Sequence, residues 1–220
     1  MKIISYNINS CNQNKVDQLF EQNADVYVVP EIACQDKIKI PDEYEMKWNS
    51  KYPTKGLGII WRKGKGSIPE WYDDKLTYAI PLVFDNVLII SFWPTKIDQN
   101  KTYTLIAKEI VEKYFEHFKD FEQCIITGDF NLYHKNDKSD KAVDILEINK
   151  LLNSHGLTSV YHKLTGQDFG SETQKTYYHL RDINNPFFLD YTYSKKEIQK
   201  YELLPWDKDF SDHVCQVIEV

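Results

Sequence analysis

The chain has 220 residues, enough for one sizeable core, and its 42% apolar content excludes general disorder. No run approaches the roughly 18 consecutive apolar residues that a membrane helix needs, and the opening MKIISYNINS turns polar too soon for a secretory leader. With 33 acids against 27 bases, the net charge of −6 repels polyanions at long range and excludes a broad electrostatic clamp.

In chain order, Lys2 to Ile8 predicts a strand, Asn14 to Asn23 a helix through Val16, Leu19 and Phe20, and Asp25 to Val29 a second strand. Further strands are predicted at Leu57 to Arg62, Thr77 to Phe84 and Val87 to Trp93, with Asp85-Asn86 closing a hairpin between the last two. An apolar stripe predicts a helix over Tyr103 to Phe118, followed by a buried strand at Gln123 to Thr127. A helix over Asp140 to Leu152 and strands at Phe187 to Tyr193 and His213 to Val220 complete the pattern. No linker or repeat divides the chain, so the expectation is one mixed α/β domain over residues 1–220.

Arg62 and Arg181 are the two arginines, so most cations are Lys, which lack the planar fork that reads guanine. Cys11, Cys34, Cys124 and Cys215 are too scattered for a zinc or disulfide pattern and read as reduced thiols of a cytoplasmic protein.

The informative pattern lies at the strand ends. Asn7 and Asn9 follow the first strand, Glu31 the second, and Gly128-Asp129-Phe130-Asn131 the strand QCIIT. Asp190 sits in an apolar strand, and Ser211-Asp212-His213 enters the last one. Ligands bind at strand ends in α/β sheets, and carboxylates converging there repel one another unless a cation holds them. Oxygen donors without clustered Cys or His point to Mg²⁺ or Mn²⁺ rather than zinc. Taken singly, Asp129 and Asn131 also read as an Asx turn that caps a helix. Asp190 is different: a carboxylate among apolar neighbours needs a buried partner, and a His is the natural one.

The blocks MKIISYNINS, ADVYVVPEI, KGLGIIW, IITGDFN, FFLDYTYS and SDHVCQV, in this order, resemble the endonuclease/exonuclease/phosphatase superfamily of apurinic-endonuclease-like and pancreatic-deoxyribonuclease-like enzymes. The resemblance implies a four-layer α/β sandwich, with two mixed β-sheets packed face to face, helices outside, and a site at one edge. It also implies a Mg²⁺- or Mn²⁺-dependent phosphodiesterase. Residue by residue, Glu31 matches the principal metal ligand, with Asn7 beside it and Asp212 as a further contact. Asp129 matches the base for the attacking water and Asn131 the amide that holds the phosphate. His213 matches the donor to a phosphate oxygen, and Asp190 the carboxylate that fixes its tautomer.

Two positions depart from the family pattern. Phe92 and Trp93 stand where a phosphate-binding Tyr or His is common, and Pro30 precedes Glu31 where Gln is common. Trp in this strand, with Thr176-Tyr177-Tyr178 ahead of Leu189-Asp190-Tyr191, places the chain nearer a bacterial group of the family. On the substrate side, Asn9 is assigned to the site, Trp93 either to stacking on a base or to core packing within VLIISFW, and Lys55, Lys96 and Arg181 to flanking phosphates.

The leading expectation is a nuclease that hydrolyses DNA or RNA with little sequence preference and binds weakly without divalent metal. A phosphatase or phosphodiesterase for a small nucleotide or phosphorylated metabolite is the alternative, and a non-catalytic nucleic-acid-binding relative is the third reading.

Overall fold

A computed structural model describes residues 1–52, 54–95, 100–135 and 143–220. Its elements begin β1 (Lys2–Ser5), α1 (Gln13–Phe20), β2 (Val26–Ile32), β3 (Tyr44–Asn49), β4 (Gly56–Arg62), β5 (Gly66–Ser67), β6 (Ala79–Phe84), β7 (Val87–Phe92) and α2 (Tyr103–Phe118). They continue β8 (Gln123–Asp129), α3 (Ile145–Ser154), β9 (Thr158–Ser159), α4 (Val160–Thr165), β10 (Tyr177–Tyr178), β11 (Pro186–Phe187), β12 (Asp190–Ser194), β13 (Lys200–Leu203) and β14 (Gln216–Glu219).

Two six-stranded sheets result, ordered β13-β14-β1-β2-β4-β3 and β5-β6-β7-β8-β12-β9. Both are mixed: β1 with β2 and β7 with β8 are parallel, while their other neighbours run antiparallel. The period-two alternation of strand side chains builds the layers. On β2, Val26 and Val28 join a core with Ile89 and Ile125 of the other sheet, whereas Tyr27 and Val29 pack with Val16 and Leu19 of α1. On β7 and β8, Ile89 and Ile125 face the first sheet, whereas Leu88, Ile90, Cys124 and Ile126 pack with Ile106, Ile110 and Tyr114 of α2. The sequence therefore forms four layers, helix, sheet, sheet, helix, as the resemblance implied.

Local chemistry sets the helix starts. The Asn12 side chain accepts from Lys15 N–H at 3.0 Å and the Thr102 hydroxyl from Leu105 N–H at 3.2 Å, each satisfying an orphan donor of the first turn. Asp85 and Asn86 both adopt positive φ, 46° and 66°, the signature of a two-residue primed hairpin turn between β6 and β7.

Several boundaries differ from the sequence expectation. The strand expected over Phe187 to Tyr193 divides into β11 and β12, because Leu189 and Asp190 N–H both turn to the Thr176 hydroxyl at 2.9 Å. The helix expected from Asp140 is described from Ile145, where Asp144 caps it, and residues 136–142 lie outside the described residues. Strand β3 and helix α4 were not among the expected elements. The β3 run YEMKWN alternates Tyr44, Met46 and Trp48, which pack with the α1 core, with Glu45, Lys47 and Asn49 on the other face of a sheet edge, and α4 spans only six residues.

Gly128 is the position where the fold most depends on a missing side chain. Its φ is 147°, and a Cβ there would lie 2.0 Å from the Phe92 carbonyl oxygen on the neighbouring strand. The close pass of β7 over β8 thus requires glycine immediately before Asp129. Gly128→Ala is expected to lose more than about 4 kcal/mol of stability, read as a large fall in the urea midpoint. A change below about 1 kcal/mol would contradict this reading of the strand crossing.

Candidate active site

Strand polarity explains why the acids converge. Asn7 follows β1 and Glu31 lies near the end of β2, while Asp129 ends β8 in the other sheet. β12 and β14 run antiparallel to these neighbours, so their beginnings, with Asp190 and nearby His213, come to the same edge. The β8–β12 register places Asp190 directly opposite Asp129.

At the centre is a buried trio. His213 Nδ1 lies 2.9 Å from Asp190 Oδ2, and its Nε2 lies 3.8 Å from Asp129 Oδ2. Asn7 Nδ2 donates to Asp129 Oδ2 at 3.0 Å, and Asn131 N–H donates to Asp129 Oδ1 at 2.9 Å. The latter contact is the Asx turn that the sequence suggested, but no helix follows it directly, since α3 begins at Ile145. Ser211 supports the imidazole from behind: its hydroxyl accepts from His213 N–H at 3.1 Å and donates to the Asn7 carbonyl at 2.6 Å. The Tyr177 ring packs on the His213 ring with centroids 4.7 Å apart.

Burial pushes the Asp129 carboxyl up to about 7; the His213 charge opposes the shift and the Asp190 charge adds to it. Asp190 is raised by burial as well, again against the His213 charge. For His213, burial alone would lower the pKa. The charges of Asp190 and Asp129 and the hydrogen bond to Asp190 outweigh it and lift the imidazole to about 9. At neutral pH, therefore, His213 holds protons on both nitrogens, one directed at Asp190 and the other facing Asp129.

Oxygen donors of Asn7 and Asp212 lie beside the trio. Burial first, and then the charges of Asp212, Asp129 and Glu31, push the Tyr177 phenol up to about 12. Asp212 Oδ1 is buried without a hydrogen-bond partner among the described residues and lies 3.9 Å from His213 Nε2. Asn7 Oδ1 accepts from Asn9 N–H at 2.9 Å, which leaves a second lone pair. This orphaned carboxylate oxygen and all-oxygen donor set fit Mg²⁺ or Mn²⁺. Asp129, Asp190 and His213 also have ligand spacing, their donor atoms lying within 4.8 Å of one another. That space already holds the imidazolium, whose charge offsets the two carboxylates.

The remaining expected residues fall in different places. Trp93 is only 3% exposed and packs between the sheets with Ile3, Leu57 and Ile125, so its faces are not open to a base. The strand ends at Phe92, and Trp93, whose N–H bonds the Tyr78 carbonyl at 2.8 Å, continues the alternation onto the face of Ile89. Asn131 is half-buried and its Nδ2 donates to the Pro94 carbonyl at 3.0 Å. Asn9 lies on the loop after β1 with φ 42°. Arg181 has φ 58° and donates to the Lys208 carbonyl. Lys96 lies outside the described residues.

Sequence reasoning missed two supports. Lys15 donates to the carbonyls of Ile8, Asn9 and Ser10 at 2.5, 3.1 and 3.2 Å, clamping the loop that carries Asn7 and Asn9. Nothing distinguishes it in sequence from the other lysines. Thr176 holds the start of β12 through two backbone donors, and its signal was its place in the block Thr176-Tyr177-Tyr178.

No family model matches the chain and no curated protein matches it. Solved structures do. An AP endonuclease from Archaeoglobus fulgidus superposes with a TM-score of 0.74 at 18% identity, covering 99% of this chain and 98% of its own. A 3′ phosphatase, NExo from Neisseria, bound to a product DNA hairpin, gives 0.74 at 17% identity, covering 100% and 98%. The endonuclease domain of TRAS1, a telomere-specific non-LTR retrotransposon, gives 0.70 at 13%, covering 100% and 97%. From its first strand to its last, the chain has the fold of the endonuclease/exonuclease/phosphatase superfamily.

Proposed function

We propose that the chain, as one domain over residues 1–220, is a divalent-metal-dependent phosphoesterase of the cytoplasm, and most specifically a nuclease that hydrolyses DNA or RNA with little sequence preference. The observation that carries this reading is the buried Asp129–His213–Asp190 network at the edge of the sandwich. The similar structures support it: they are named as an endonuclease acting at AP sites, a 3′ phosphatase bound to DNA and a retrotransposon endonuclease.

In this reading Asp129 accepts a proton from the attacking water, and burial suits it, since a base titrating near 7 is matched to neutral pH. Asn131 and the Nε2–H of His213 hold the non-bridging phosphate oxygens, and Asp190, on Nδ1, keeps the imidazolium charged and its Nε2–H aimed at them. Glu31, Asp212 and Asn7 would hold Mg²⁺ or Mn²⁺, whose charge would offset that developing on the phosphate and the leaving oxygen. Asn9 and Arg181 line the substrate side at the rim.

The net charge of −6 favours a second reading, a small nucleotide or phosphorylated metabolite as substrate. Labelled single- and double-stranded DNA and RNA, tested beside mononucleotides and sugar phosphates in Mg²⁺, Mn²⁺ and EDTA, separate the two. Cleavage of a polynucleotide that stops in EDTA is the expected result. Turnover of small phosphoesters alone would transfer the assignment to the second reading, and tight nucleic-acid binding without turnover in either metal would remove the enzyme reading altogether.

A further inference from the structure

Glu31 already carries a cation supplied by the chain. The Lys55 ammonium lies 2.9 Å from Glu31 Oε2, and strand register accounts for the meeting. In the β2–β4 ladder Pro30 pairs with Leu57 and Ile32 with Gly56, leaving Glu31 in a bulge next to the residue that precedes Gly56. Glu31 has φ 64°, the left-handed region that a non-glycine residue enters only when its surroundings impose it. Gly56 has no room for a side chain, since a Cβ would lie 2.6 Å from the Asn49 carbonyl oxygen. The Ser50 hydroxyl fixes the Lys55 carbonyl at 2.6 Å, and the ammonium sits 5.9 Å over the buried Trp93 ring. Backbone geometry therefore fixes both ends of the pair.

A carboxylate oxygen that takes a divalent ion at coordination distance has no place for an ammonium at 2.9 Å, because the two cations repel. We propose that Lys55 is the resident counter-ion of Glu31 and that a divalent metal enters by exchange: the ion takes the carboxylate, and the ammonium turns into the cleft toward the anionic substrate. The inference rests on the reading of Glu31 as metal ligand. Before metal arrives, Lys55 keeps Glu31 from adding an unbalanced charge to Asp129 and Asp212. Once metal is bound, its charge serves the substrate. Breaking the pair lowers metal affinity, so Lys55 sets how much metal is needed to load the site.

The test is Mn²⁺ binding to the full chain without substrate, read from the electron paramagnetic resonance signal of free Mn²⁺. Lys55→Met keeps an unbranched side chain of similar length and removes the charge. It is expected to bind Mn²⁺ about three- to tenfold more tightly, the scale of a partly exposed ion pair plus relief of repulsion. The same variant should show a raised KM for a phosphodiester, while Lys55→Arg stays within about twofold of wild type in Mn²⁺ affinity. Unchanged or weaker Mn²⁺ binding by Lys55→Met, with Glu31→Gln losing the metal, would overturn the exchange and leave the metal site standing. Wild-type Mn²⁺ binding by Glu31→Gln would remove Glu31 as ligand and the exchange with it.

Discussion

Asp129→Asn is expected to lower kcat by about 10³- to 10⁴-fold, the upper range for a general base, with little change in KM. The side chain is 2% exposed and its two oxygens are held by Asn7 Nδ2 and Asn131 N–H, so its direction toward the cleft is fixed before substrate arrives. Asn keeps the shape and removes the proton acceptor. Because burial pushes the wild-type carboxyl up to about 7, activity should rise as pH passes through about 7. The imidazole that donates to phosphate loses its proton near 9, so activity should fall again as pH passes through that value. These limbs belong to the coupled trio rather than to single residues. Steady-state kinetics between pH 5 and 10 measure both effects, and an Asp129→Asn enzyme within tenfold of wild type would exclude Asp129 as the base.

His213→Ala is expected to cost about 10²- to 10³-fold in kcat, the range for a single donor to developing negative charge. Asp190 touches His213 and not the reacting atoms, so it is a positioning residue. Asp190→Asn should therefore lower kcat on its own yet add little in the His213→Ala background. Stability should move differently. His213→Ala leaves the Asp190 carboxyl buried without its partner, a loss of up to about 3 to 5 kcal/mol for a broken buried pair. The double variant, lacking that orphaned charge, should unfold at higher urea than His213→Ala alone. Additive losses in kcat, or a double variant less stable than both singles, would contradict the coupling.

Much of this was legible because two sheets stacked face to face write a plain pattern. Strands buried on both faces read as continuous apolar runs such as DVYVV and VLIISFW, and polar residues at their ends stood out against that background. Asp190 gave the clearest signal. A carboxylate in FFLDYTY demanded a partner, and His213 Nδ1 lies 2.9 Å away. Trp93 keeps the face of Ile89 while Phe92 keeps that of Ile90, so its ring goes between the sheets, the packing reading that the run VLIISFW also allowed. What the sequence could not convey depended on register and turning. Lys55 was noted as a loop lysine, but its place on Glu31 follows from a bulge between Pro30 and Ile32 that no periodicity announces. The edge strand β3 does alternate, Tyr44, Met46 and Trp48 against Glu45, Lys47 and Asn49, but only Tyr44 is buried, so the run lacks the continuous apolar character of the central strands.

In the proposed function this edge of the sandwich hydrolyses phosphodiesters with a divalent metal and Asp129. The most direct measurement is cleavage of an end-labelled oligonucleotide, DNA and RNA in parallel, by purified protein in Mg²⁺, with EDTA and with Asp129→Asn. Shortened products that require both Mg²⁺ and an intact Asp129 are the predicted result. Cleavage that persists in EDTA, or equal cleavage by Asp129→Asn, would contradict it.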